Sequence, residues 1–209
     1  MSRIWVDVSA PLNPELTVWP GDPPVRVEAA ARIQHGDEVN LSHLSLSAHA
    51  GTHMDAPWHF EDDGVSLDRV DTDLFFGDAL VIEHHIPGPI TAASLDGIDL
   101  LPRVLFKTPN SNLPMTGPFR KEYVSILPDA AQRLIDGGVR LVGIDYLSVA
   151  PFDQTDQATH HILLGHEVLL VEGLRMKGIV PGIHPFTALP LPITGTDGAP
   201  CRAFIAQEQ

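Results

Sequence analysis

Residues 49–59 read His-Ala-Gly-Thr-His-Met-Asp-Ala-Pro-Trp-His, which puts three histidines and one aspartate within a short stretch. Neutral imidazole and carboxylate are natural ligands for Zn²⁺, Mn²⁺ and similar divalent ions. His49, His53 and Asp55 are therefore candidate metal ligands. Gly51 lets the backbone turn so that His49 and His53 converge, and Pro57 fixes the exit of the segment. His59 has two roles open to it, a further ligand or a general acid/base. Three ligands are few for a tight site. His160, in Thr159-His160-His161, and Glu172, in Val171-Glu172-Gly173, are the candidates to complete it. Both are flanked by apolar sequence, where a polar side chain needs a partner. Glu83-His84-His85 also has ligand chemistry, but it stands before Pro87-Gly88 and reads as an exposed strand end.

The elements around these residues are mostly strands. Ile4, Val6 and Val8 alternate along Arg3 to Val8, and Leu41 to Ala48 alternates from Leu44 onward. Ala79 to Glu83, Val104 to Lys107, Val139 to Asp145 and Val168 to Val171 read as further strands. Leu189 to Ile193 and Arg202 to Ile205 are the expected closing pair, the first weakened by Pro190 and Pro192. The clearest helix starts at Pro128, suited to the first helical position, and ends at Gly137-Gly138. Trp19-Pro20-Gly21-Asp22-Pro23-Pro24 is a stiff turn. Many strands and few helices predict a mixed, sheet-rich α/β domain over residues 1–209.

Composition narrows the function. The length of 209 residues, 44% hydrophobic, suits a sizeable core. A formal charge of −14 argues against nucleic acid as a partner. No apolar run is long enough to cross a bilayer, and the first ten residues lack the pattern of a signal peptide. Cys201 is the single cysteine, which excludes an intramolecular disulfide and fits a cytoplasmic protein. There is no Gly-x-Ser-x-Gly elbow, phosphate loop or dinucleotide fingerprint.

The segment His49-Ala-Gly-Thr-His53-Met-Asp55-Ala-Pro-Trp-His59-Phe resembles the signature of the cyclase family of metal-dependent hydrolases, which includes bacterial kynurenine formamidases and isatin hydrolases. The resemblance extends to Trp19-Pro20-Gly21-Asp22, Val142-Gly143-Ile144-Asp145, the His160 and Glu172 pair, and Leu189-Pro190-Leu191. It implies a swivelling β/β/α domain and homodimers or homotetramers. It implies a first metal on His49, His53 and Asp55, and a second on Asp55, His160 and Glu172, with two Zn²⁺, or Mn²⁺ in their place, as cofactors. His59 is similar to the family's general acid/base, and Trp19 to a substrate-contacting aromatic.

The chemistry implied is hydrolysis of an aryl N–C(=O) bond. A divalent metal lowers the pKa of bound water toward ~7, and a net positive site favours the tetrahedral oxyanion. The leaving aniline nitrogen needs a proton, which His59 is placed in sequence to deliver. An arylformamidase acting on N-formylkynurenine is the leading expectation. Opening of a cyclic amide such as isatin, and metal binding without catalysis, are the alternatives. Trp19 and Trp58 together predict a flat apolar slot for the substrate ring.

Overall fold

A computed structural model of the chain describes residues 3–86 and 88–208. The strands are β1 (Arg3–Asp7), β2 (Arg26–Ala31), β3 (Leu41–Ser45), β4 (His53–Asp55), β5 (Phe76–Glu83), β6 (Arg103–Lys107), β7 (Leu141–Ile144), β8 (Leu169–Glu172), β9 (Gly182–Pro190) and β10 (Gly198–Glu208). The α-helices are α1 (Pro128–Asp136) and α2 (Ala158–Gly165). The main sheet runs β1-β10-β4-β8-β7-β6-β5-β9, and β9 pairs again with β10, so the sheet closes on itself. Long β10 makes the closure possible. Its start pairs with β4, its middle with β9, and its end with β1. Strands β5 to β8 are mutually parallel through β6 and β7. The mixed, sheet-rich α/β expectation therefore holds.

Alternation along the strands divides the core in two. Met54, Val81, Leu105, Leu141, Val171, Phe186, Ala203 and Ile205 fill the barrel. The intervening residues Val104, Phe106, Val142, Ile144 and Leu170 point outward and are covered by Ala130, Ala131 and Leu134 of α1 and Leu163 and Leu164 of α2. Helix α1 begins with Pro128, carries Asp129 in its first turn, and gives way to Gly138 at φ +78°, as its sequence requires. No helix among the described residues is long and apolar enough to cross a membrane.

Several elements differ from the sequence expectations. The strand expected over Leu41 to Ala48 stops at Ser45, because the chain must turn to present His49. The closing strand expected at Leu189 to Ile193 ends instead at Pro190 and extends back to Gly182. Pro190 and Pro192 lack the N–H that a continuing ladder needs. Helix α2 and strand β2 were not expected. The latter is Arg-Val-Glu-Ala-Ala-Ala, poor in β-formers, and is a strand because it pairs with β3 in a separate hairpin.

Candidate active site

The segment 49–59 contains a short strand. In β4, His53 stands directly opposite Glu172 of β8, so both side chains project on one face. Two residues along, Asp55 projects the same way. His53 Nε2 lies 3.4 Å from Glu172 Oε2 and 3.4 Å from Asp55 Oδ1. His49 arrives from the preceding turn, its Nδ1 2.8 Å from Asp55 Oδ1. Gly51 stands within that turn at φ +68°, a conformation that suits glycine. His160 reaches in from α2, with Nε2 3.6 Å from Glu172 Oε1. Its neighbour His161, about 100° further round the helix, instead bonds Glu61 at 2.8 Å.

The structure thus brings together all five residues read from sequence as a ligand set. Their donor atoms form two groups that share Asp55, one with His49 and His53 and the other with His160 and Glu172. Three imidazoles have one nitrogen occupied by an acceptor outside the cluster. His53 Nδ1 donates to the Gly51 carbonyl at 3.0 Å, and His160 Nδ1 to Gln157 Oε1 at 3.1 Å. His49 Nε2 donates to Asp197 Oδ2 at 2.7 Å. Each ring therefore turns its other nitrogen inward. Asp55 Oδ2 is buried with no hydrogen-bond partner. A buried carboxylate oxygen left in that state is costly unless a cation completes it.

Electrostatics run the same way. Burial opposes a charge on His49, but Asp55 and Asp197 outweigh it and push its pKa up to about 11. Burial likewise opposes charge on His53, and Asp55 and Glu172 raise it nonetheless. Burial would raise Asp55, yet His49 and His53 hold it well below the usual carboxylate range. Glu172 is lowered against burial and against Asp55 by hydrogen bonds from His160 and His53. Hydrogen bonds from His49 and His59 hold Asp197 far below its ordinary value. The site sets two imidazoles with raised pKa values, His49 and His53, against three carboxylates with lowered ones, the charge arrangement that a cation would replace.

Asp197 was missed in the sequence. It lies in the turn before β10, far from the motif, and its only signal was an Asp-Gly pair opening a strand. It accepts from His49 and lies 3.2 Å from His59 Nδ1, so one carboxylate links both rings. His59 stacks on His49 with centroids 4.0 Å apart. A cavity of about 240 Å³ opens over this cluster, lined by Trp19, Asp22, His59, Phe60, Ser148 and others. Trp19 is buttressed by Phe119 at 5.0 Å and Phe152 at 5.4 Å. Trp58 does not join it. That indole is 42% exposed and lies outside the cavity lining, which corrects the expected pair of indoles. Phe60 occupies the second aromatic place, stacked on His160 at 4.3 Å. Glu83 is engaged by Lys107 at 2.8 Å, away from the cluster.

Residues 6–151 match the family model described as "Putative cyclase". A kynurenine formamidase from Salinibacter ruber is 40% identical over 205 residues, covering 96% of each chain. A "predicted metal-dependent hydrolase" from Bacillus stearothermophilus superposes with a TM-score of 0.84 at 29% identity, covering all of both chains. Isatin hydrolase A from Labrenzia aggregata, at 22% identity, shares the fold with a TM-score of 0.84 over 99% of this chain and 94% of its own.

Proposed function

This chain belongs to the cyclase family, and on that premise we propose that it is a metal-dependent amide hydrolase cleaving the N–C(=O) bond of an aryl formamide, with N-formylkynurenine as the type substrate. The observation that carries the metal half is the set of imidazoles whose outer nitrogens are already held, leaving the inner nitrogens of His49 and His53 on Asp55 Oδ1 and that of His160 on Glu172, while the other Asp55 oxygen is buried without a partner. Ordered outer hydrogen bonds of this kind are what orient histidine ligands in metal sites. The spacings agree. Ligands at ~2.1 Å on a tetrahedral ion stand ~3.4 Å apart, the distance of His53 Nε2 from Asp55 Oδ1 in the first group and close to the 3.6 Å of His160 Nε2 from Glu172 Oε1 in the second, whereas His49 Nδ1, hydrogen-bonded to Asp55 Oδ1 at 2.8 Å, would move outward by a few tenths of an ångström. We propose two ions, Zn²⁺ or Mn²⁺, because Asp55 belongs to two of the three donor groups, the third being His49, His59 and Asp197. His49, His53 and Asp55 would hold the first, and Asp55, His160 and Glu172 the second.

A divalent cation there supplies polarisation of the amide carbonyl and acidifies a water. The rest falls to the side chains. Trp19, held by Phe119 and Phe152, offers a flat apolar wall to the aryl ring. Asp197 holds the proton of His59 on Nδ1, which leaves Nε2 as the basic nitrogen. His59 takes a proton from the attacking water as its oxygen bonds to the formyl carbon. It returns that proton to the aniline nitrogen as the C–N bond breaks, releasing formate and the free arylamine. A homodimer or homotetramer is part of this reading. Its support is the β2–β3 hairpin, whose Val27, Leu41 and Leu44 are exposed, as a two-stranded ribbon is marginal alone.

The test is a spectrophotometric assay of N-formylkynurenine with the purified protein before and after chelation. Activity lost on chelation and restored by Zn²⁺ or Mn²⁺ is expected. No hydrolysis with any divalent metal, or hydrolysis indifferent to chelation, overturns the proposal.

A further inference from the structure

Asp22 stands in the wall of the same cavity as Trp19 and His59. Its place is set by the backbone. The Asp22 N–H donates to the Trp19 carbonyl at 3.0 Å, closing a tight turn through Gly21 at φ +103°. Its side chain is tied to the loop that carries His49. Ser47 Oγ donates to Asp22 Oδ2 at 2.9 Å, and the His49 N–H donates to Ser47 Oγ at 3.2 Å. Among the described residues, Asp22 Oδ1 has no hydrogen-bond partner. The other carboxylate in the lining, Glu172, is engaged by His53, His160 and the Val149 N–H. Asp22 is thus the one lining carboxylate outside the metal cluster, fixed at one oxygen and open at the other. Among the described residues, no lysine or arginine lines the cavity.

We propose that Asp22 is the counter-charge for a substrate ammonium, so that the site selects aryl formamides carrying a primary amine on the side chain beside the formamide. This rests on the hydrolase reading above. The cavity is small beside typical ligand pockets of ~300–1,000 Å³, so a one-ring substrate whose aryl face meets Trp19 has its amine-bearing arm within the same enclosure. The turn that carries Trp19 also carries Asp22, so ring and ammonium are read by one rigid unit. With no lysine or arginine side chain among the described lining residues, a substrate carboxylate has no such counter-charge outside the metal cluster. Recognition of an amino-acid arm is then lopsided, through its ammonium.

Wild-type enzyme gives the first test. Four formamides are compared: N-formylkynurenine, its analogue without the amine, its analogue without the carboxylate, and formanilide. Loss of the amine should lower kcat/KM by about tenfold or more, the scale of a hydrogen bond to a charged group. Loss of the carboxylate should cost clearly less. The reverse order overturns the assignment. Asp22→Asn gives the second test, with melting temperature and metal content checked against wild type. Its loss should be selective, mostly in KM, and at least about tenfold larger for N-formylkynurenine than for formanilide. Equal losses on both substrates would make Asp22 a loop-positioning residue, and no loss on either would remove it from the site. If wild type hydrolyses formanilide but gains nothing from the amine, only the Asp22 assignment fails. If it hydrolyses no formamide with any metal, the hydrolase reading fails and takes this one with it.

Discussion

His49 and His59 stack face to face and share Asp197, yet the structure gives them different neighbours. His49 turns its second nitrogen onto Asp55, inside the cluster, whereas the carboxylate that His59 faces is Asp197, outside it. The two should separate under mutation. His53→Ala removes a ring that is 1% exposed and faces both Asp55 and Glu172. It should lose bound metal and activity together, measured by elemental analysis and assay. His59→Asn should keep its metal and lose activity by ~10²-fold or more, the usual scale for a general acid/base. Metal loss in His59→Asn would instead make it a ligand. Asp197→Asn touches both functions at once. Weakening the acceptor that orients His49 should lower metal affinity by ~10-fold or more, read by competition with a chromophoric chelator. Unchanged affinity would confine Asp197 to His59. The sequence displayed the first two residues plainly, because a dense motif concentrates its chemistry in one segment. It hid Asp197, which meets them only because β10 returns alongside β4.

At the scale of elements, the site depends on the close approach of two turns. Gly173 follows Glu172 at φ +70°, and a Cβ there would collide with the Gly51 carbonyl oxygen. That carbonyl is the acceptor that holds His53 Nδ1. Gly173→Ala therefore has two costs. The left-handed conformation alone costs ~1–2 kcal/mol in a non-glycine residue, and the collision must push the loop that aims His53. A fall in melting temperature of about 5 °C or more is expected, with weaker metal retention in the fraction that stays folded. A variant as stable and as well metallated as wild type would show that the two turns tolerate separation. The same geometry explains what was legible. Strands β5 to β8 and helix α1 announce themselves by apolar runs and a proline start, since each buries a face locally. Strand β4 is three residues long and is written in the code of a metal motif, so its pairing with β8 is a tertiary fact. Helix α2 enters through Gln157 in a left-handed conformation, φ 49°, where no capping residue signals a start. Gln157 then serves the site by holding His160 Nδ1.

Across the whole molecule, the site couples stability to pH and to metal in opposite directions. Asp55, Glu172 and Asp197 have pKa values below those of an unfolded chain, so what they contribute is present above ~4 and lost as pH falls through their folded values. His49 and His53 are shifted up, His49 to about 11. Their contribution is complete below ~6.5, the unfolded value, and is lost as pH rises toward the folded one. Between these limits the native metal-free chain binds more protons than the unfolded chain, so its stability must fall with rising pH. A divalent ion needs the same nitrogens without their protons, and its binding releases them. Its stabilisation must therefore grow with pH over the same window. Melting curves of chelator-treated and metal-loaded protein, taken from pH 5 to 9, should diverge, with metal-free protein losing melting temperature above ~6.5 and the gain from Zn²⁺ increasing. His49→Ala should flatten both trends, because it removes a group held far above its ordinary pKa and one of the proposed ligands. Parallel curves for the two forms would mean that protons and metal do not compete for these rings, and would move the metal away from His49 and His53.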